Sequence, residues 1–309
     1  MADAYNVTAL GTALAVASVP VYHLLLKPKK PAETPGRPGL VRRRSSIIEE
    51  LTAPPLVLRV VMWVQVFQGL LAWLAPTTIA SVYGVSDMSK TDEMLGENWG
   101  RTWLAVNFGA LVGSRRGVST DGVIAAGLVL LLLGQLKSLF NSDFLGNTRG
   151  WVTAYSVVKL VSLWAMEYGP ALKEQNGTLS ETVSKIIPAP EVVGQFLAVV
   201  VGVDGLLKYF AADGYAAFWG YGPLEPISSF VTIGEGYSLV MLAAFWTCLL
   251  RGIDVWKAYG VANVVYFLAT VDATFIRKYE LDVTEVGSEA DLVLSFIGVV
   301  SSEAWNAFA

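Results

Sequence analysis

One stretch of this chain occurs twice, each time at the close of a run apolar enough to cross a bilayer. It reads Gly69-Leu70-Leu71-Ala72-Trp73-Leu74-Ala75-Pro76, followed by Tyr83-Gly84. It returns as Gly205-Leu206-Leu207-Lys208-Tyr209-Phe210-Ala211-Ala212, followed by Trp219-Gly220, 136 residues later throughout. Three more apolar runs follow each copy. Self-similarity at a fixed offset is the mark of a duplicated structural unit, so the expectation is a tandem pair of four-helix units.

The solvent for such units is lipid. The chain has 309 residues, 54% of them hydrophobic and 16% charged, where soluble domains carry about 25% charge. Its mean hydropathy is +0.51. Only helices and closed barrels satisfy their backbones in a bilayer. The alternating segments of about ten residues that a barrel needs are absent. The expected fold class is therefore all-α: a polytopic membrane protein of two tandem, parallel four-helix transmembrane bundles. An N-terminal transmembrane or anchor helix at residues 6–26 is added to them.

In chain order, residues 1–50 hold that first helix and a basic, proline-rich linker containing Lys27, Lys29, Lys30 and Arg42-Arg43-Arg44. Proline at this density prevents a helix and the charge prevents burial. The first unit spans residues 51–175, with helices at Leu56–Leu74, Asn98–Gly113, Gly122–Phe140 and Trp151–Tyr168. Pro76 ends the first of them, and Asp87 to Glu93 form an acidic loop. The second unit spans residues 176–309, with helices at Glu191–Phe210, Ile227–Leu250, Val255–Phe275 and Asp291–Phe308. Further matches support the repeat: Gly96-Glu97 with Gly234-Glu235 at offset 138, and Arg116-Gly117 with Arg251-Gly252 at offset 135. Four helices per unit is an even number, so both units take the same orientation, related by an axis near the membrane normal. Placing the basic linker inside puts Arg115-Arg116, Lys173, Lys185, Arg251 and Lys257 inside as well. The C-terminus then lies on the cytoplasmic-equivalent side.

Ionisable residues inside a membrane are expensive, which makes each a candidate site. Lys159 lies midway along an apolar run. Glu97 and Arg101 are one turn apart and share a helix face, as do Asp204 and Lys208. Glu235 answers to Glu97 at offset 138. Gln68 answers to Asp204 at offset 136. Asp272 stands alone near a helix end, with Lys137 as its counterpart at offset 135, so that these two charges are expected to meet across the axis. Each of these also has a plainer reading in packing or in the helix dipole. No catalytic residue is assigned. The one histidine, His23, and the one cysteine, Cys248, exclude disulfides within the chain, cysteine metal clusters and paired-histidine sites. No metal is expected, and no cofactor is specified. Walker, nucleophile-elbow, HExxH and CxxC motifs are absent, which argues against the commoner enzyme classes.

Arg59 near the opening of the first helix, Gly69 to Pro76, Gly84, and Gly96-Glu97 together form a pattern that resembles the DoxX-like four-helix membrane families of unknown function. The resemblance covers each unit and leaves out the first 50 residues. It implies a four-helix fold. Some members of these families are labelled oxidoreductase subunits, and relatives include sterol isomerases that use acidic and histidine residues. Neither unit here contains a histidine.

These observations lead to a multipass, non-enzymatic membrane protein that binds a lipid or small hydrophobic ligand, or serves as a subunit of a membrane assembly. The alternatives are a transporter or channel with a polar path through Lys159, Glu97, Glu235 and Asp272, and a membrane oxidoreductase or isomerase. The partners implied are the bilayer, a hydrophobic ligand, and other subunits or further copies of the chain. Nucleic acid is not expected. The orientation makes one testable statement. Asn6-Val7-Thr8 lies on the glycosylatable side and Asn176-Gly177-Thr178 does not. Glycosylation mapping should modify only Asn6, and a glycan on Asn176 reverses the topology.

Overall fold

The computed structural model describes residues 56–85, 88–115, 118–140, 149–174, 189–219, 224–277 and 285–302. The expected N-terminal helix at residues 6–26, the basic linker, residues 278–284 and residues 175–188 lie outside them. Every regular element among the described residues is helical: α1 Leu56–Leu74, α2 Pro76–Val82, α3 Lys90–Gly113, α4 Thr120–Phe140, α5 Arg149–Glu174, α6 Pro190–Phe210, α7 Ala212–Phe218, α8 Pro226–Leu250, α9 Val255–Val271 and α10 Glu285–Ser301. A π-helical turn, Asp272–Ile276, extends α9.

Several boundaries differ from the expected ones for local reasons. Pro76 does not end the chain's helical course, and neither half stops at the end of its first long helix. Ala75 and Ala211 break it, and a short helix starts afresh after each. Pro76 occupies a first-turn position, where its missing N–H costs nothing. α3 begins at Lys90, inside the stretch expected to be an acidic loop. Ser89 caps it in a reciprocal box with Asp92. Asp92 is thereby buried, and it also accepts a hydrogen bond from Ser228 on α8.

Five helices are long and apolar enough to span a membrane: α1, α4 up to Lys137, α6, α8, and α9 with its π turn. The surface agrees with a lipid solvent. Val192, Phe196, Val199, Val203, Leu206 and Phe210 form an exposed apolar stripe along α6, and Leu56, Val60, Trp63, Phe67, Leu70 and Leu74 form another along α1. Buried polar residues lie within: Gln65, Asn107, Ser238, Asn263 and Ser295 are each 0% exposed. A soluble protein does not expose apolar surface on this scale. The chain is a multipass membrane protein.

The helices pack in the same order in each half: α1 on α3, α3 on α4, α4 on α5, and then α6 on α8, α8 on α9, α9 on α10. The halves are not two separate bundles. α3 packs along α8 at the centre, α5 reaches α6, and α10 reaches back to α1. One apolar core runs through both halves, from Leu58 and Trp103 to Leu163, Leu197, Leu239 and Tyr259.

Two glycine crossings set the inner helix pairs. A Cβ built on Gly100 would lie 2.8 Å from the carbonyl oxygen of Gly69, and one on Gly236 would lie 2.9 Å from that of Gly205. The two crossings use residues 136 apart on both helices. In that register Glu97 answers to Ile233 and Glu235 to Trp99, so the match of the two glutamates at offset 138 is not carried into the packing. Membrane helices gain contact area when small residues let backbones approach. Gly236→Ala should therefore lower stability by about 1–3 kcal/mol through overpacking. Gly214→Ala on α7, where the nearest atom to the new Cβ is 4.0 Å away, should be close to neutral. Thermal unfolding in detergent separates the two.

Candidate functional site

Five of the eight candidate residues converge on one cavity of about 140 Å³: Arg101 on α3, Lys159 on α5, Asp204 and Lys208 on α6, and Glu235 on α8. Leu95, Leu130, Leu131, Val152 and Leu239 supply its apolar wall, and Tyr215 and Trp219 approach from α7 and its end. The cavity draws helices from both halves, because α5 is the last helix of one and α6 the first of the other.

The charges are not equally satisfied. Lys208 Nζ lies 2.7 Å from Glu235 Oε1 and 3.7 Å from Asp204 Oδ2. The i, i+4 pairing of Asp204 with Lys208 is present as expected. The Tyr215 ring stands 5.1 Å from the same ammonium, and its phenol hydrogen-bonds Asp204. Burial, and then the charges of Asp204 and Glu235, hold the Tyr215 phenol well above its ordinary range, so it stays protonated and donates. Arg101 donates to Asn98 Oδ1 at 2.7 Å and pairs with Glu97 at 3.5 Å. Gly134 makes room for this group: a Cβ there would sit 2.7 Å from Asn98 Oδ1 and 2.9 Å from Arg101 Nε.

Two donors are left over, and Lys159 stands beside them. Arg101 Nε and Trp219 Nε1 are buried without a hydrogen-bond partner. Lys159 is 4% exposed. Its ammonium lies 4.2 Å from the centre of the Tyr155 ring, and it forms no ion pair among the described residues. Arg101, Lys159 and Lys208 line the cavity with Asp204 and Glu235, and Glu97 pairs with Arg101 from behind it. Buried polar groups without partners are rare in finished cores. Two buried donors without partners, beside a lysine that has no ion pair among the described residues, suit an acceptor-rich anion.

The remaining candidates lie elsewhere. Glu97 sits behind Arg101 and is held on its other side by Lys137, whose Nζ is 2.6 Å from Glu97 Oε1. Asp272 pairs with Arg277 at 2.9 Å and accepts from Tyr209. Lys137 and Asp272 therefore do not meet, because each has a nearer partner on its own side of the molecule. Gln68 donates to Asp291 at 3.1 Å, in a second, smaller cavity of about 20 Å³. Tyr83 also donates to Asp291, and burial followed by that carboxylate's charge raises the Tyr83 phenol well above its usual range. Reading by charge alone passed over Tyr155, Tyr215 and Trp219. Tyr155 carried a signal, since it precedes Lys159 by one helical turn. Asp291 was read only as the start of a helix. Among the described residues no group of His, Cys, Asp and Glu is placed to hold a metal ion.

The ion cluster makes a stability prediction. Lys208→Met leaves buried Glu235 and half-buried Asp204 without their cation, and removing one partner of a buried pair costs about 3–5 kcal/mol. Lys208→Met combined with Asp204→Asn and Glu235→Gln should recover most of that loss in denaturant unfolding. A triple variant as unstable as the single one would mean that the charges do not act as a set.

No family model matches the chain, and no curated protein and no solved structure matches it.

Proposed function

We propose that this protein is a non-enzymatic membrane binder of a small amphiphile with an anionic head. The single observation behind the reading is one chamber in which buried Arg101 Nε and Trp219 Nε1 have no hydrogen-bond partner and buried Lys159 has no ion pair among the described residues. A carboxylate or phosphate head accepts from these donors. The apolar wall of Leu95, Leu130, Leu131, Val152 and Leu239 takes the first carbons of the tail. A cavity of about 150 Å³ holds a benzene ring, so a chamber of about 140 Å³ holds a head and a short stretch of chain.

The transporter reading is less well supported. Its path needs Asp272, which is tied to Arg277 and Tyr209 and does not line the chamber. The orientation with the basic linker and the C-terminus on the cytoplasmic-equivalent side stays part of this proposal.

The test uses the full chain in detergent with three probes of equal length: octanoate, octanol and octylamine. Octanoate should raise the unfolding temperature and octylamine should not. Lys159→Met should weaken octanoate binding by about tenfold or more, the loss expected when one charged hydrogen bond goes. Equal stabilisation by octylamine, or octanoate binding that ignores Lys159, would overturn the proposal.

A further inference from the structure

The small cavity beside Asp291 stands in a definite relation to the large one. Gln68, Trp99, Trp103, Tyr237, Tyr266 and Asp291 line the small cavity, and Asp204, Glu235, Leu239, Arg101, Leu130 and Tyr155 line the large one. Each pair is 136 residues apart, in one direction or the other along the chain. The three other residues of the small cavity, Ala72, Ile79 and Tyr83, find Lys208, Tyr215 and Trp219 in the same way. Every residue of the small lining thus has its counterpart in the large lining. The register is also that of the glycine crossings, which involve Gly69, Gly100, Gly205 and Gly236.

We infer that the two cavities are two copies of one ligand site, duplicated with the fold, and that the copy beside Asp291 is closed by aromatic side chains. Resting on the function proposed above, this means that the chain binds one amphiphile, beside Lys159, and not two. In the closed copy Trp103 and Tyr266 meet edge to face with centroids 4.5 Å apart. They occupy the positions that Leu239 and Leu130 hold in the open copy. Trp99 fills the place of Glu235, and its indole donates to Ser238 at 3.1 Å. The space that remains, about 20 Å³, is that of a single water. Two residues that line it carry buried polar atoms without partners, Gln68 Oε1 and Trp103 Nε1, one acceptor and one donor for such a water.

The comparison also supplies an internal control on the charges. Asp204, Lys208, Glu235, Arg101 and Lys159 answer to Gln68, Ala72, Trp99, Tyr237 and Ser295. The same arrangement of helices is built with none of the five charges. Their presence in one copy is thus not a requirement of the packing, and they belong to what the open copy holds.

Two reciprocal exchanges test the equivalence without reference to any ligand identity. Leu130→Tyr with Leu239→Trp places the closing pair in the open copy. The variant should fold, unfold at or above the temperature of the unaltered chain, and show the two rings edge to face in its crystal structure. Trp103→Leu with Tyr266→Leu should open the closed copy, and crystals under xenon pressure should show a new xenon peak beside Asp291. If the first variant does not fold, the second decides. A missing xenon peak, rings turned out toward lipid, or failure of both variants to fold overturns the inference, since equivalent positions must tolerate each other's residues.

Discussion

Two places where backbone meets backbone hold this protein in shape. At Gly69 with Gly100, and again at Gly205 with Gly236, the first and second long helices of each half cross with no side chain between them. In lipid the hydrophobic effect does not drive helices together, because lipid tails are as apolar as leucine. Close approach and the dispersion contacts it allows must do so instead. Once each pair is locked, α3 and α8 present their other faces to one another, and the remaining helices complete the perimeter. The apolar stripes on α1 and α6 then face outward, where a water-soluble protein would place charge.

That arrangement leaves the interior to polar residues, and the two halves use it differently. On one side Gln65, Asn107, Tyr259 and Asn263 join α1, α3 and α9: Gln65 donates to Asn263 at 2.9 Å, and the Tyr259 hydroxyl lies 2.7 Å from Gln65 Oε1 and 2.8 Å from Asn107 Oδ1. Their counterparts at the same offset are Val201, Ala243, Val123 and Gly127, an apolar set over which Trp246 packs against Gly127. The side with the neutral polar knot also has the closed cavity, and the side with the apolar knot has the charged one. A neutral network with its hydrogen bonds made rigidifies a core. The charged chamber keeps unanswered donors, and in a medium of low dielectric those are costly unless something completes them.

Legibility in the sequence followed the range of the interaction concerned. The spans of α1, α6, α8 and α9 were readable, because apolarity over about 20 residues is a property of a segment. The i, i+4 pairs of Glu97 with Arg101 and Asp204 with Lys208 were readable too, because helix geometry alone brings them together. The start of α3 was misplaced. Asp92 looks like a loop residue until its capping box with Ser89 and its bond to Ser228 on a distant helix are seen. The pairing of Lys137 with Asp272 failed because Glu97 and Arg277 lie closer, which only packing decides.

By itself the sequence determined an all-helical membrane chain, since helix length and apolarity need no knowledge of what touches what. It also marked Lys159 as costly wherever the bilayer encloses it. Only the tertiary structure decided that the halves share one core, that five charges meet in a single chamber, and that its sister is filled by rings. Those facts depend on contacts between helices far apart in the chain. Alternation along a segment cannot report whether an indole or a carboxylate will face the opposite wall.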